Sequence, residues 1–446
     1  MLSNVDLVIK NTKIVSSSTV FEACLAVKDG KIVSFVKDVN LLKAEKTIDA
    51  KGGLTLPGVI DVHVHFREPG LTHKEDFLTG SMAAAAGGVT TVADMPNTIP
   101  PTLDIESFRV KVKKAEDRCY VNLGFIAGVV KTNLDKVFSL SKAGVLGFKI
   151  FMTETLGSPM DDDCMVEAFR LIEEADKPVF VHAEDFQMIQ YATQKVKEDR
   201  RKDFMAWVES RPSLAEAKAI SKVAVFSQKT KCKTHICHVS SKAGVEVLKE
   251  AKTRSSLLTC ETCPHYLLLD VEKVKGLGFT PKITPPIRFK ADREALWEGL
   301  LDGTIDLVAS DHSPHTEEEK LRDSVWDAAS GFVGVETMVP LMLTQVNLGR
   351  LSINHYVKVS SENPAKLLGV YPKKGLVQAG SDADLTIVDL KKEAKIRSER
   401  LHSKSKVTPF DGWEVKGVPV YTIVNGNIVM EKGEIVGKPR GKILFG

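Results

Sequence analysis

Val59-Ile60-Asp61-Val62-His63-Val64-His65 combines the pattern of a buried strand with two potential metal ligands at its end. In an extended strand successive side chains point to opposite faces, so His63 and His65 share one face while Val62 and Val64 take the other. Two imidazoles on one face can bind the same ion. The pair alone is weak evidence, because two ordinary histidines at a strand end have the same spacing.

Seven further apolar runs follow this one and alternate with amphipathic stretches typical of helices. The eight predicted strands are Val59–His65, Val89–Pro96, Tyr120–Val129, Val145–Met152, Pro178–Glu184, Lys233–Ser240, Ser255–His265 and Asp306–Pro314. Predicted helices between them include Lys74–Ala86, Ile105–Glu116, Met165–Ala175, Leu214–Phe226 and Ala291–Leu301. Alternation of this kind predicts an α/β fold, a (β/α)8 barrel of the TIM type.

Both ends of the chain differ from the middle, since each carries a hairpin signal. Asp29-Gly30 separates two apolar runs near the N-terminus, and Asn425-Gly426 does the same near the C-terminus. We therefore predict a small composite β-sandwich domain built from residues 1–57 and 371–446. The metal-dependent barrel would occupy residues 58–370.

The composition is that of an ordinary enzyme, with 446 residues of which 43% are hydrophobic and 27% charged. The formal net charge of +3 is small, and no basic run is interleaved with aromatic residues, which argues against nucleic-acid binding. No stretch approaches the ~20 apolar residues of a membrane span, so we expect a cytoplasmic protein without membrane attachment. The 7 scattered cysteines favour reduced thiols over a disulfide framework.

Several of the later predicted strands end in residues that could complete a metal site with His63 and His65. These residues are Lys149, His182, His238 and Asp311. Reactive residues of a TIM-type barrel lie at the C-terminal ends of its strands, so these side chains are expected to meet. Four neutral imidazoles suit zinc or a similar borderline metal, although each histidine taken singly is more often a satisfied core residue.

Lys149 lies within an apolar run, where a buried ammonium is costly unless it is paired or neutralised. It either reaches the rim or a carboxylate such as Glu154, or it is a neutral amine that captures carbon dioxide. The resulting carbamate could bridge two cations. Asp311 could act as general base and then general acid toward a metal-bound water, or it could be a turn-forming residue before Pro314.

This set of residues resembles that of the amidohydrolase superfamily, in which two metals share a carbamylated lysine in such a barrel. Further motifs are similar to those of the dihydroorotases, which belong to the cyclic amidase branch. The motifs are Asp61–Gly70, Ala84–Thr91, Met95–Thr98, Ser310–Thr316 and Gly331–Glu336. The resemblance covers nearly the whole chain.

The resemblance implies a metal-dependent mechanism with two divalent ions, for which Zn²⁺ is the expected metal. The implied ligands are His63 and His65 for one ion, His182 and His238 for the other, the carbamate of Lys149 as the bridge, and Asp311. The implied reaction is the reversible hydrolysis of (S)-dihydroorotate to N-carbamoyl-L-aspartate in pyrimidine biosynthesis. A metal-bridging hydroxide would be the nucleophile and Asp311 the catalytic proton shuttle.

The same resemblance assigns Arg67, Asn97 and His315 to the carboxylate of the substrate. Their chemistry agrees with this role, because an arginine offers a planar fork of donors to a carboxylate and an asparagine adds an amide donor. The alternative for Arg67 is a surface salt bridge with Glu68 or Glu75.

The chain departs from the family pattern at Thr284, where many members carry an asparagine before two prolines. The contact to the pyrimidine ring is open there, and Arg288 is either its replacement or an exposed charge. Cys237 and Glu261 match positions at which the dihydroorotase domain of the animal multifunctional protein is reported with an extra metal. Buried, inert thiols are the alternative for the cysteines.

Other functions of related proteins also stay open. Allantoinases commonly carry another residue at the position of Arg67, and the pattern of hydantoinases (dihydropyrimidinases) lacks Arg67 together with His315. An inactive, dihydroorotase-like scaffold usually loses ligands, whereas every ligand position is filled here. The expected partner is a small molecule with a free carboxylate, and the hypotheses for protein partners are a homodimer and an aspartate carbamoyltransferase.

Overall fold

The computed structural model describes residues 3–37 and 42–446. Within them, 7 strands precede the barrel: β1 (Ser3–Lys10), β2 (Lys13–Val15), β3 (Val20–Glu22), β4 (Cys24–Lys28), β5 (Lys31–Val36), β6 (Leu42–Asp49) and β7 (Leu54–Pro57). Four of them form one sheet in the order β5-β4-β1-β6. The hairpin predicted around Asp29-Gly30 is confirmed, because Val27 pairs with Ile32 and Lys28 with Lys31.

The middle of the chain forms an 8-stranded sheet in which each strand pairs with the next in parallel. Its strands are β8 (Val59–Val64), β9 (Val89–Asp94), β10 (Asn122–Gly128), β11 (Gly147–Phe151), β12 (Val179–His182), β13 (Thr234–Ile236), β14 (Leu258–Thr262) and β15 (Leu307–Val308). A parallel bridge between Val64 and His312 connects the first strand to the segment after the last. The predicted TIM-type barrel is confirmed.

Helices alternate with the barrel strands along the chain, as the pattern predicts. They are α1 (Phe77–Ala86), α2 (Ile105–Ala115), α3 (Val137–Ala143), α4 (Asp162–Glu174), α5 (Phe186–Glu198), α6 (Phe204–Ser210), α7 (Ser213–Thr230), α8 (Lys242–Arg254), α9 (Pro264–Leu268), α10 (Lys290–Asp302), α11 (Glu317–Lys320), α12 (Val335–Asn347), α13 (Ile353–Val357) and α14 (Asn363–Leu367). A short π-helix, Lys358–Glu362, joins the last two. No helix in the described ranges is long and apolar enough to cross a membrane.

Strands from the two ends of the chain share a second sheet. The C-terminal strands are β16 (Leu385–Lys395), β17 (Glu414–Val424), β18 (Asn427–Glu431) and β19 (Glu434–Ile435). β7 pairs with β16, which gives a 7-stranded sheet in the order β19-β18-β17-β16-β7-β2-β3. The hairpin predicted around Asn425-Gly426 is also confirmed, since Val424 pairs with Asn427.

Apolar burial explains why these layers stay together. The largest cluster joins barrel strands to helices, with Phe148, Phe169 and Trp297 among its fully buried members. A second cluster combines Leu25 from the four-stranded sheet with Ile387 from the seven-stranded sheet, so the two sheets pack face to face. This is the small β domain, built from both termini, that the sequence predicts.

Candidate active site

The C-terminal ends of five barrel strands bring the predicted metal ligands together. His63 lies near the end of β8 and His65 just after it, Lys149 lies within β11, His182 ends β12, His238 follows β13, and Asp311 follows β15. All six side chains are buried, with exposed fractions between 0% for Lys149 and 7% for His65. Their convergence agrees with the position of reactive groups in TIM-type barrels.

His63 and His65 face Asp311. Their rings lie side by side with centroids 5.2 Å apart, as the strand alternation predicts. Asp311 Oδ1 lies 3.5 Å from His63 Nε2 and 3.2 Å from His65 Nε2. On the far side of each ring, His63 Nδ1 donates to Glu261 at 2.5 Å and His65 Nδ1 to Asn97 Oδ1 at 2.6 Å. Because both Nδ1 atoms carry a proton, the Nε2 of either ring presents a lone pair whenever that ring is neutral.

His182 and His238 form the second pair, with His182 Nδ1 3.0 Å from His238 Nε2. His182 Nε2 donates to Glu184 at 2.8 Å, and Arg211 holds that carboxylate from the other side with its Nε 3.1 Å from Oε1. The Nδ1 of His182 is therefore a lone pair facing its neighbour. The Nδ1 of His238 is buried and finds no hydrogen-bond partner among the residues that the structure describes.

Lys149 is fully buried and has no carboxylate partner in the described part of the chain. Its Nζ lies 2.8 Å from Cys237 Sγ and 5.0 Å from the centre of the Phe151 ring. Other buried lysines find oxygen atoms, for example Lys111, whose Nζ lies 2.6 Å from Asp94. The explanations by a rim position or a salt bridge with Glu154 are therefore wrong.

Burial and mutual charge set the protonation of these groups. Burial lowers the pKa of His65 to about 3, and it also lowers the pKa of His182 and, more strongly, that of His238. Burial opposes ionisation of Asp311, yet His63 and His65 hold its pKa well below the usual range. His63 differs, because Glu261 and Asp311 outweigh the effect of burial and raise its pKa to about 10. At neutral pH Asp311 is thus a carboxylate able to accept a proton.

The three residues predicted to bind a carboxylate lie around the first histidine pair: Asn97 contacts His65, and Arg67, two residues after it, contacts His315. Arg67 is 7% exposed, and its Nε donates to the Pro314 carbonyl at 3.2 Å. Its Nη2 lies 3.2 Å from His315 Nε2, and within residues 3–37 and 42–446 no carboxylate lies within ion-pair distance of the guanidinium. The alternative of a surface salt bridge is therefore wrong. Asn97 uses its oxygen on His65, which leaves its amide N–H groups free to donate.

The backbone is left-handed at three of these positions, with φ of 62° at Arg67, 39° at His238 and 46° at Asp311. Residues with side chains rarely adopt this conformation, and such strain concentrates at functional sites. The strands that precede His238 and Asp311 also end earlier than predicted. β13 stops at Ile236 and β15 at Val308, short of the predicted strand ends at Ser240 and Pro314.

Comparison with known proteins agrees with this geometry. Residues 54–429 match the model of the amidohydrolase family. The chain belongs to the amidohydrolase family. A dihydroorotase of Methanosarcina acetivorans is 41% identical, covering 99% of this chain and 96% of its own, and an allantoinase of Rubrobacter xylanophilus is 36% identical over 99% and 98%. An L-hydantoinase (dihydropyrimidinase) structure from Arthrobacter aurescens superposes with a TM-score of 0.97 at 37% identity, covering 99% of this chain and 100% of that one.

These relatives support an amidohydrolase that acts on cyclic amides. The three relatives carry three different activities in their names. Family membership therefore establishes the class of hydrolase, and the substrate has to be argued from the side chains of the site.

The residues of this amidohydrolase fit divalent metal ions. His63, His65 and Asp311 offer ligand atoms within 4.8 Å of one another. His182 Nδ1 and His238 Nε2, which share one proton across 3.0 Å, could bind a cation in its place. The buried, unpartnered nitrogen of His238 points to the same conclusion.

The structure gives a separate result for each of the four remaining positions, which are Thr284, Arg288, Cys237 and Glu261. Thr284 lines a groove of about 1190 Å³ at the catalytic face. Arg288 is buried rather than exposed, and it donates to Ser240 Oγ at 3.0 Å, so the alternative of an exposed charge is wrong. Cys237 and Glu261 do converge with His63 in a group able to hold an ion. The role of that group in an extra metal site stays a prediction.

Sequence reasoning did not single out the partners that orient the histidines as ligand supports. Glu184 lies two residues after His182, so strand alternation could have placed it on the same face. Asp61 lies two residues before His63 by the same rule, and its Oδ1 accepts from the main-chain N–H groups of His63 at 3.2 Å and Ser310 at 3.0 Å. No comparable spacing marks Arg211.

Proposed function

We propose that this amidohydrolase is a dihydroorotase, which interconverts (S)-dihydroorotate and N-carbamoyl-L-aspartate. One observation carries the proposal: Arg67 is buried, no carboxylate of the described residues lies within ion-pair distance of its guanidinium, and its Nη2 contacts His315, while Asn97 contacts His65 two residues before it. A buried guanidinium without a counter-ion is costly unless a ligand supplies one. Dihydroorotate has a carboxylate on the carbon next to its ring nitrogen and fits this requirement.

Electrostatics support the assignment. Burial lowers the pKa of Arg67 to about 10, so the guanidinium still carries its charge at neutral pH. His315 is neutral, because burial, Arg67 and Lys74 lower its pKa to about 3. Its Nδ1–H donates to Glu319 at 3.0 Å, which leaves Nε2 as an acceptor for Arg67. The pair therefore presents one fixed positive charge rather than two.

The metal ligands would be those that the resemblance implies. His63 and His65 would hold one ion, His182 and His238 the other, Lys149 both as its carbamate, and Asp311 would complete the set. Divalent cations such as Zn²⁺, when bound, polarise a carbonyl and lower the pKa of water to near neutrality. Lys149 is fully buried and has no carboxylate partner among the described residues, an environment in which a bare ammonium is costly, and this supports the carbamate.

The protein itself supplies proton transfer and orientation. Asp311 would accept the proton released as water adds to the ring carbonyl, and would return it to the ring nitrogen as the C–N bond breaks. Ser313 Oγ donates to Asp311 Oδ1 at 3.2 Å and helps to keep the carboxylate in place. Glu261, Asn97 and Glu184 fix the ring orientation of the histidines that they contact.

A hydantoinase is the second candidate, and one feature favours it. The groove beside Thr284 is larger than dihydroorotate requires, and Trp207 and Trp326 line it with ring centroids 6.3 Å apart. Such a groove could accept the side chain of a 5-substituted hydantoin. It offers no explanation for the buried charge of Arg67, which is the reason that we place this function second.

Turnover of four substrates by the metal-loaded protein tests the proposal. The substrates are dihydroorotate, N-carbamoyl-L-aspartate, allantoin and a 5-substituted hydantoin, each measured with chelator, without it, and after Zn²⁺ is added back. We expect chelator-sensitive activity on the first two only. Activity confined to allantoin or the hydantoin would overturn the dihydroorotase assignment, and silence on all four with metal bound would favour an inactive scaffold.

The protein partners are a separate proposal. A homodimer would appear in sedimentation analysis of the purified chain. An association with aspartate carbamoyltransferase would appear as comigration of the two purified proteins, and independent migration would argue against it.

A further inference from the structure

A segment from the C-terminal part of the chain crosses the catalytic face of the barrel. It comprises residues 402–407, between β16 and β17, and we name it the C-terminal strap. Its first residue, His402, donates its main-chain N–H to Glu336 Oε2 at 2.7 Å at the start of α12. Lys404 Nζ donates to the Thr72 carbonyl at 2.7 Å, in the loop that follows β8. The strap therefore contacts the segments that follow the first and the last strands of the barrel.

The contact of the strap closest to the chemistry is made by Ser405. Its Oγ donates to the His315 carbonyl at 2.6 Å, and this is the one hydrogen bond that the described residues make to the His315 main chain. The carbonyl one residue earlier, that of Pro314, accepts from Arg67 Nε at 3.2 Å. Two successive carbonyl groups are thus held from two separate parts of the chain.

Holding this backbone matters because the His315 ring has little other rigid support. Its Nδ1 bonds to Glu319 on the short helix α11, whose side chain is 29% exposed, and Lys74 Nζ, at the end of a long side chain, lies 3.3 Å from the same nitrogen and 2.8 Å from Glu319. The rotamers open to a side chain depend on its φ and ψ, so the backbone sets where the ring points. The ring then meets Arg67 Nη2 at 3.2 Å.

Burial makes the serine contact hard to replace. Ser405 is 5% exposed, so water has little access to the carbonyl that its hydroxyl satisfies. A buried carbonyl that loses its donor either stays unpaired or moves to find another partner. Movement here would turn the His315 ring away from Arg67. An ångström of misplacement in a binding group is enough to weaken substrate positioning.

We propose that Ser405 is a positioning residue for substrate specificity, which sets the geometry of the Arg67–His315 pair toward the substrate carboxylate by holding the His315 carbonyl. This inference rests on the proposed dihydroorotase function. It places one determinant of carboxylate recognition outside the barrel, in the domain formed by the chain termini.

The test compares Ser405→Ala with Ser405→Thr, which keeps the hydroxyl, and with Ser398→Ala as a matched control. Ser398 lies just ahead of the strap and makes its hydrogen bond to Asp411 through its main-chain N–H. We expect Ser405→Ala to raise KM for dihydroorotate about tenfold with kcat within about twofold, because the carboxylate contact is distant from the reacting amide. Metal content should stay full, Ser405→Thr should restore KM, and Ser398→Ala should match the wild type.

The value of KM distinguishes a positioning role of Ser405 from a loss of folded protein, because an unfolded fraction lowers apparent kcat and leaves KM unchanged. An unchanged KM in Ser405→Ala, with a wild type that turns over dihydroorotate, would overturn this inference alone. A fall in kcat or metal content without a rise in KM would do the same and assign a structural role. A wild type inactive on dihydroorotate and carbamoyl aspartate would overturn the proposed function and the inference together.

Discussion

Replacing Arg67 with methionine should separate substrate recognition from metal binding. The variant keeps much of the side-chain volume and removes the charge at a position that is 7% exposed. Two of the donors of the guanidinium are used on Pro314 and His315, and a guanidinium has five N–H donors, so enough remain to pair with both oxygens of a carboxylate. The expected defect is therefore in binding of the substrate carboxylate.

The size of that defect follows from the number of hydrogen bonds lost. A hydrogen bond to a charged group contributes about 1.5–3 kcal/mol, so a bidentate pair contributes about 3–6 kcal/mol. This corresponds to a loss of roughly 10²- to 10⁴-fold in kcat/KM. Most of the loss should appear in KM, because the carboxylate does not take part in breaking the ring amide.

Steady-state kinetics with dihydroorotate and N-carbamoyl-L-aspartate measure this effect, with metal content determined on the same samples. Arg170→Met is the matched control, because Arg170 pairs with Glu167 at 2.6 Å and the two side chains are 49% and 45% exposed. Exposed pairs contribute less than about 1 kcal/mol, so the control should stay within a few-fold of the wild type. Full activity of Arg67→Met on dihydroorotate would refute the carboxylate argument, and a loss of metal from this variant would show that Arg67 supports the metal site instead.

Further predictions concern the metal site, pH and the core. Lys149→Ala should lower the metal content measured by elemental analysis, and an unchanged content would contradict the carbamate. Asp311→Asn should reduce kcat by about 10²- to 10⁴-fold, the usual contribution of general acid–base catalysis, and a kcat near that of the wild type would remove the shuttle role. The hydrogen bond to Glu336 raises the pKa of His402, so its stabilising effect is complete below the ordinary histidine pKa of about 6.5 and is lost as the pH rises through the raised value. Denaturant titrations from acidic to basic pH should therefore show a smaller loss of stability in His402→Gln than in the wild type. Phe148→Ala, at a fully buried position of the barrel, should lower the free energy of unfolding by about 3–5 kcal/mol, and a loss below about 1 kcal/mol would mean that the site collapses around the cavity.

The apolar runs and the amphipathic stretches between them were sufficient to predict the barrel, because its strands are buried and their sequences are correspondingly apolar. Strand ends were harder to predict. His238 and Asp311 lie beyond their strands, at φ of 39° and 46°, because the backbone turns there to aim the side chains at the centre of the barrel. Hydrophobic patterning records burial and carries no signal for a left-handed residue that is not glycine.

The ligand histidines could be placed from spacing because strand alternation and the barrel rule act locally. The contacts around them depend on long-range packing. Arg211 reaches Glu184 across 27 positions, and Ser405 reaches His315 across 90. No local pattern encodes such pairs, and a single serine in a polar segment resembles any other surface serine until the fold brings it to a buried carbonyl.

The pairing of β7 with β16 has a consequence for biosynthesis. Leu385 pairs with Pro57 in the register of that ladder, so one edge of β7 has no partner until more than 300 further residues have been made. At a synthesis rate of about 5–20 residues per second, this wait lasts roughly 20–70 s. During that interval the nascent chain exposes an unpaired strand edge, which is a site for association with other chains. The ribosome-bound intermediate should therefore depend on chaperones more than the finished enzyme does, and release of the C-terminal strands should end that dependence.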